Sequence, residues 1–204
     1  MRHYTLRIPE ALRASLIVAA LAQAAVAGPL EDGNAAYQRG DYAAAEKLLR
    51  PLVDQGDAGA QDILAIMYFV GQGVPQNRGE AIRLYRLAAE QGNAHSQDIL
   101  GFAYLDGIGV QRDYAEAAKW FRKAADQDNI DAQFNLGEMY ELGNGVPQDS
   151  VLAYMWFTLV ASRGTRLYAI RSRDRVAQQM TAEQIDEAQR LARQWKPQLE
   201  RKRD

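Results

Sequence analysis

The chain is 204 residues long, with 48% hydrophobic and 25% charged side chains, a formal net charge of −2 and no cysteine. This is an ordinary globular composition with enough length for one domain. The lack of cysteine excludes disulfides, thiolate metal sites and a lipid-modified N-terminal cysteine.

Residues 1–27 read as a secretory signal peptide: Arg2, Arg7 and Arg13 give a positive start, Ala14 to Ala22 is an apolar run, and Ala25-Val26-Ala27 before Gly28 is an A-x-A cleavage site. Glu10 in the basic stretch departs from that pattern. The apolar stretch ends at Ala27 after 14 residues, short of the roughly 20 a membrane span requires. Cleavage is therefore expected, with no stable membrane insertion afterwards, and a periplasmic or secreted bacterial location.

A short helix is predicted over Leu30 to Arg39, capping the N-terminal end within residues 28–40. Helix pairs are then predicted near 41–55 with 58–70, 78–91 with 94–106, 114–127 with 130–142, and 150–163 with 166–179. The fourth first-helix, Ala153 to Ala161, is apolar on nearly every side and requires a cover. The candidate is a last helix with a capping box at Thr181 and Gln184, an apolar stripe of Ile185, Ala188, Leu191, Ala192 and Trp195, and Pro197 as its stop. Residues 164–204 thus comprise a repeat remnant and a C-terminal cap, as the end of a repeat stack needs.

The pairs repeat at 36 residues: Gly71 and Gly73, Gly107 and Gly109, and Gly143 and Gly145 mark the loops, each followed by Val74, Val110 or Val146. Leu64, Leu100 and Leu136 form one column, Tyr68, Tyr104 and Tyr140 a second, and Ala81, Ala117 and Ala153 a third. Such a period signals a helical solenoid. Asp41, Asn77, Asp113 and Asp149 precede the first helices, and Asp57, Asn93, Asn129 and Thr165 the second, all good N-caps. Glu80 and Glu116, three residues on, are expected to complete capping boxes.

The pattern A-x-x-W-F-x-x-A-A-x-Q, then A-Q-x-x-L-G-x-x-Y, then G-x-G-V-x-x-D resembles the Sel-like repeat (SLR) family, relatives of the tetratricopeptide repeats. The resemblance covers about Asp41 to Arg163, and Ala36 to Tyr42 is similar to the tight turn of ordinary tetratricopeptide repeats. Departures are Asp128, where other units have Gly56, Gly92 and Gly164, and Phe134 and Asn135. The resemblance implies an all-α, right-handed solenoid of about four units over 41–163, used as a scaffold for protein–protein contacts without catalysis.

From Gly28 to Ser162 there are 10 basic and 19 acidic residues, and from Arg163 to Asp204 there are 11 and 6. The basic tail is diluted by Glu183, Asp186, Glu187 and Glu200 and reads as a solvated face, so no nucleic-acid partner is expected. His95 shares its column with Gly59 and Asp131, which marks a variable surface position. No H-E-x-x-H, phosphate-binding glycine loop or G-x-S-x-G occurs. The loop glycines follow helices rather than strands, which removes a nucleotide-binding reading. No catalytic residue, metal or cofactor is expected. Some cysteine-rich relatives are linked to penicillin hydrolysis, yet here no lysine follows a serine by three residues.

The expected function is that of a monomeric periplasmic adaptor or regulator holding a protein partner, with a role in envelope polysaccharide or cell-wall machinery as the alternative. The expected surface is a basic stripe on the first helices, with Lys47, Arg83 and Lys119 in one column and Arg50, Arg86 and Arg122 in the other. Within each helix the pair is three residues apart and therefore side by side. In tetratricopeptide relatives the first helices line the concave groove, so the stripe would offer donors to a partner's carboxylates, against the competing reading of solvated charges paired with Glu46 or Glu116.

Overall fold

The computed structural model describes residues 28–164 and 166–198. The signal peptide read in residues 1–27 lies outside them, as does Thr165. Among the described residues the chain forms ten helices and no strand: α1 (Pro29–Gln38), α2 (Tyr42–Asp54), α3 (Ala58–Val70), α4 (Arg78–Glu90), α5 (Ala94–Asp106), α6 (Tyr114–Ala125), α7 (Ile130–Leu142), α8 (Ser150–Ala161), α9 (Leu167–Ala177) and α10 (Ala182–Gln194). The architecture is an all-α solenoid of helix-turn-helix units, α2–α3, α4–α5, α6–α7 and α8–α9. No predicted helix end is displaced by more than two residues.

The starts are set by side-chain caps. Asp41, Asp57, Asn77, Asn93, Asp113, Asn129 and Asp149 each accept a backbone N–H from the first turn, satisfying donors the helix leaves orphaned. The reciprocal half expected of Glu80 and Glu116 does not form. The N–H groups of Asn77, Asp113 and Asp149 donate to the carbonyls of Tyr68, Tyr104 and Tyr140 at 2.9, 2.8 and 2.9 Å. The donor that each glutamate would take is thus already engaged, and the glutamates turn to Arg83 and Lys119. Thr181 and Gln184 do form the predicted box. The cap expected at Thr165 is corrected: α9 starts at Leu167 with Arg166 in the cap position, and Arg166 makes no side-chain cap bond.

Gly71, Gly107 and Gly143 end their helices in the left-handed region, with φ of 85°, 74° and 70°. The second loop glycine is demanded by space as well. A Cβ on Gly145 would lie 2.1 Å from the carbonyl oxygen of Tyr114, and one on Gly73 would lie 2.5 Å from the Cβ of Tyr42.

Between units, the second helix packs on the first helix of the next: α3 on α4, α5 on α6, α7 on α8. Small residues on the second helices receive large ones from the first, and a Cβ on Gly101 or Gly137 would stand 2.5 or 2.7 Å from the rings of Phe121 and Phe157. In the same column, Leu49 approaches the Cβ position of Gly33 in α1 to 2.6 Å. The N-terminal helix therefore stands where the second helix of a preceding unit would. Buried alanines (Ala45, Ala81, Ala117, Ala153) allow this close stacking along the whole core.

At the other end, Tyr154, Met155, Trp156, Phe157, Leu159 and Val160 of α8 are all buried, because α10 packs on α8 as well. Ala188 of α10 is fully buried, and Ile185, Leu191, Ala192 and Trp195 lie partly buried against the same core. The expected C-terminal cover is the observed one.

Candidate protein-interaction surface

The six basic residues lie on α2, α4 and α6, and the structure gives the two columns different company. In the inner column, Arg50 donates to the Tyr68 hydroxyl at 3.1 Å, Arg86 to the Tyr104 hydroxyl at 2.9 Å, and Arg122 to that of Tyr140. Each bond joins the two helices of one unit, so the arginine and tyrosine columns form a ladder with the period of the repeat. The guanidinium of Arg86 sits 5.8 Å from the Tyr104 ring centroid, and that of Arg122 lies 5.4 Å from the ring of Tyr140 and 5.5 Å from that of Trp156.

In the outer column, Arg83 pairs with Glu80 at 2.7 Å and Lys119 with Glu116 at 2.5 Å. The Arg83 hydrogen bonds hold the Glu80 carboxyl below its ordinary range, and the Glu116 carboxylate raises the Lys119 ammonium. Arg50 is bonded to Glu46 in addition to Tyr68, and both raise its pKa, the phenol more. The pairing expected for solvated charges is therefore real for three of the six, and solvent screening leaves such exposed pairs with little effect on stability. Lys47 is exposed, and neither Arg86 nor Arg122 forms an ion pair among the described residues. Their charges are met by phenols and ring faces, which orient a guanidinium without neutralising it.

In the fourth unit the two columns continue as Met155 and Thr158, and α10 lies over both. Met155 lines a cavity of about 380 Å³ with Leu191, Gln194, Trp195 and Lys196. Thr158 lines a second, of about 320 Å³, whose α10 side is Gln189, Ala192 and Arg193. Trp195 meets Trp156 edge-on with centroids 5.9 Å apart. The stripe and the α10 seat are thus one continuous face, joined where Arg122 stacks on Trp156.

A second polar group escaped the sequence reading. His95, read as a plain surface residue, holds both oxygens of Asp62 through Nδ1, at 2.9 and 3.0 Å, and Ser96 donates to the same carboxylate at 2.5 Å. The Asp62 hydrogen bond raises the imidazole pKa. Nearby Asp98 is 5% exposed, and burial pushes its carboxyl up to about 6. The available signal was the column Asp62, Asp98, Phe134, in which an aromatic in the third unit reports partial burial. Among the described residues no group of three or more His, Cys, Asp or Glu side chains could hold a metal ion, and no helix is long and apolar enough to cross a membrane.

The Sel1 repeat family model matches residues 58–93, 94–129 and 130–165. Each matched span joins the second helix of one unit to the first helix of the next, the pairs that carry the small-to-large contacts. Among solved structures, the chain is similar to a Sel1 repeat protein from Oxalobacter formigenes, at 40% identity over 62% of this chain and 95% of that one, with a TM-score of 0.58. It is also similar to c5321, a protective antigen present in uropathogenic Escherichia coli strains and displaying an SLR fold, at 30% identity over 74% of this chain and a TM-score of 0.57. The chain covers 40% of that antigen's length. No curated protein matches.

Proposed function

Because the chain belongs to the Sel1 repeat family, whose members are generally protein-interaction scaffolds without catalysis, we propose that it is an exported, non-catalytic scaffold that holds a protein partner on the face of α2, α4 and α6. The observation that carries this reading is the state of Arg86 and Arg122: tyrosines of the same units orient both guanidinium groups, and among the described residues no carboxylate pairs with either. A partner's carboxylates supply the missing counter-charges through charge-assisted bonds. The proposal of export rests on the arginines, apolar run and A-x-A site of residues 1–27.

The test is capture from envelope extract by the parent and by a variant in which Arg86 and Arg122 are both reversed to Glu. The variant keeps its helical content and loses most of the capture, with the difference largest at low salt where screening is weak. Equal yield and equal salt dependence would remove the stripe from the binding surface. For export, intact mass from a periplasmic fraction reads a chain beginning at Gly28, and a full-length cytoplasmic product would end that part of the reading.

A further inference from the structure

The cover at the fourth unit identifies what this face accepts. An amphipathic helix, α10, lies over Met155 and Thr158, the two positions that continue the stripe. Beyond it the chain turns back toward the third unit, where Gln198 donates its backbone N–H to the Asp126 carbonyl at 2.8 Å and its amide to the Asp126 carboxylate at 3.1 Å. Among the described residues no helix covers the same face in units two and three. Resting on the reading of this face as the partner-binding surface, we propose that it is a track for an amphipathic helix of the partner, carrying two carboxylates two turns apart, one for Arg86 and one for Arg122.

The form of the partner follows from what the track offers. An extended segment must find partners for its own N–H and C=O groups. The first helices use their backbone groups internally, so no strand edge is exposed for it to extend. In the first three units the stripe columns hold lysine and arginine, which donate and never accept, and the carboxylates beside them, Glu46, Glu80 and Glu116, are already engaged by Arg50, Arg83 and Lys119. A helix satisfies its own backbone and meets the face through side chains alone, as α10 does.

The spacing follows from geometry. We assign successive units a step of one helix diameter, ~10 Å, which seven residues of helix match in rise. Carboxylates at i and i+7 therefore share one side of the incoming helix and reach both arginines. Arg122 sets the boundary of the track, since its ring contact with Trp156 adjoins the Trp195 seat of α10.

The probe is a fluorescein-labelled peptide of about 20 residues, long enough to be helical in water. Leucines flank its two glutamates, which stand seven positions apart, and the full-length chain is titrated into it while anisotropy is read. Saturable binding is expected. It weakens at least about tenfold, or ~1.4 kcal/mol, when Arg86 and Arg122 are both changed to Gln, when both peptide glutamates become Gln, or when the second glutamate moves two positions and leaves the common side. A proline at the peptide's centre weakens it as well. Circular dichroism of the Gln variant, expected to match the parent, separates lost binding from lost fold.

The proposal is overturned by an absence of saturable binding, by equal affinity of the proline-broken peptide, or by indifference to the spacing. If the peptide fails while the parent alone, and not the reversed-charge variant, captures a partner from envelope extract, the helical form falls and the scaffold reading stands. Failure of both assays removes both.

Discussion

Arg163 grips Asp128 with two parallel hydrogen bonds, at 2.7 and 2.5 Å, and the two residues are departures from the repeat at two different columns. Where Asp128 stands the other units have glycine, and where Arg163 stands they have Gln55, Gln91 and Gln127. Gln91 and Gln127 donate to Gln61 and Gln97 at 2.9 and 2.8 Å, whereas the Oε1 of Gln133 has no hydrogen-bond partner among the described residues. One deviation thus accompanies the other. A carboxylate in the left-handed position, φ 70°, is held by an arginine that replaces the usual amide.

Asp128→Gly removes a left-handed-region cost of about 1 kcal/mol and a partly exposed ion pair worth up to about 1 kcal/mol, together with the bond the carboxylate accepts from the Gln133 amide at 3.1 Å, a donor that keeps the Ala125 carbonyl. Gain and loss nearly cancel, and the melting temperature stays within a few degrees. Asp128→Ala loses the pair and keeps the backbone cost, so its melting temperature falls by up to roughly 2–4 °C. Arg163→Gln is milder in the Asp128→Gly background than in the parent, because the amide regains the Gln133 acceptor. A double-mutant cycle by thermal melting reads this coupling, and strict additivity would refute it.

Gly101→Ala and Gly79→Ala should move stability in opposite directions. On helix propensity alone each substitution gains up to about 1 kcal/mol. At Gly79 the new Cβ meets only the Asn77 side-chain oxygen, at 3.5 Å, and part of that gain survives. At Gly101 it would stand 2.5 Å from the Phe121 ring, and overpacking of about 1–3 kcal/mol outweighs the gain. Denaturant midpoints of the two variants check the signs.

Stability should fall as pH rises from about 5 to about 8. Burial holds the Asp98 carboxyl up at about 6, and the Asp62 hydrogen bond raises the His95 imidazole. Burial also raises Glu138, whose pKa is pulled the same way by Glu141. All three bind protons more tightly folded than unfolded, so each contribution is complete below the unfolded pKa and is lost through the folded one. For Asp98 that window runs from about 4 to about 6, and for His95 it lies above about 6.5. Glu80 has the opposite sign, but its lowered pKa places its window below about 4.5, outside this range. Asp98→Asn therefore flattens the acid side of the melting profile and His95→Gln the neutral side. A profile rising across the range would contradict both assignments.

Loss of α10 should expose the apolar face of α8. A chain ending at Met180 is expected to aggregate or melt lower, and Ala188→Glu, which places a charge at a fully buried position, should do the same in the full-length protein. Dye binding to exposed apolar surface and sedimentation read the effect. An unchanged melting temperature in both would mean that the cap contributes nothing.

The helices were legible because caps, glycines and apolar columns recur at one period, and each recurrence supports the others. What stayed hidden depends on partners distant in sequence. The boxes at Glu80 and Glu116 match a local pattern, but Tyr68 and Tyr104 supply carbonyls that pre-empt them. The tyrosine column has core spacing, and its rings are indeed half-buried to buried. Nothing in that spacing says that the hydroxyls reach the arginines, although two columns 18 residues apart with equal period point that way. Arg166 replaced Thr165 as the cap residue because α9 begins one residue later than the repeat dictates.

The carbonyl bonds from Tyr68, Tyr104 and Tyr140 to the residues that open the next helices have a consequence for descent. Together with the glycines that seat each loop on the start of its own unit's first helix, they make the three junctions interchangeable. A copied stretch of 36 residues, inserted at any of them, meets the same acceptor upstream and the same glycine socket downstream. Unequal recombination can therefore lengthen or shorten this molecule by whole units while α1 and α10 keep the two ends closed, so reach and termination are inherited separately.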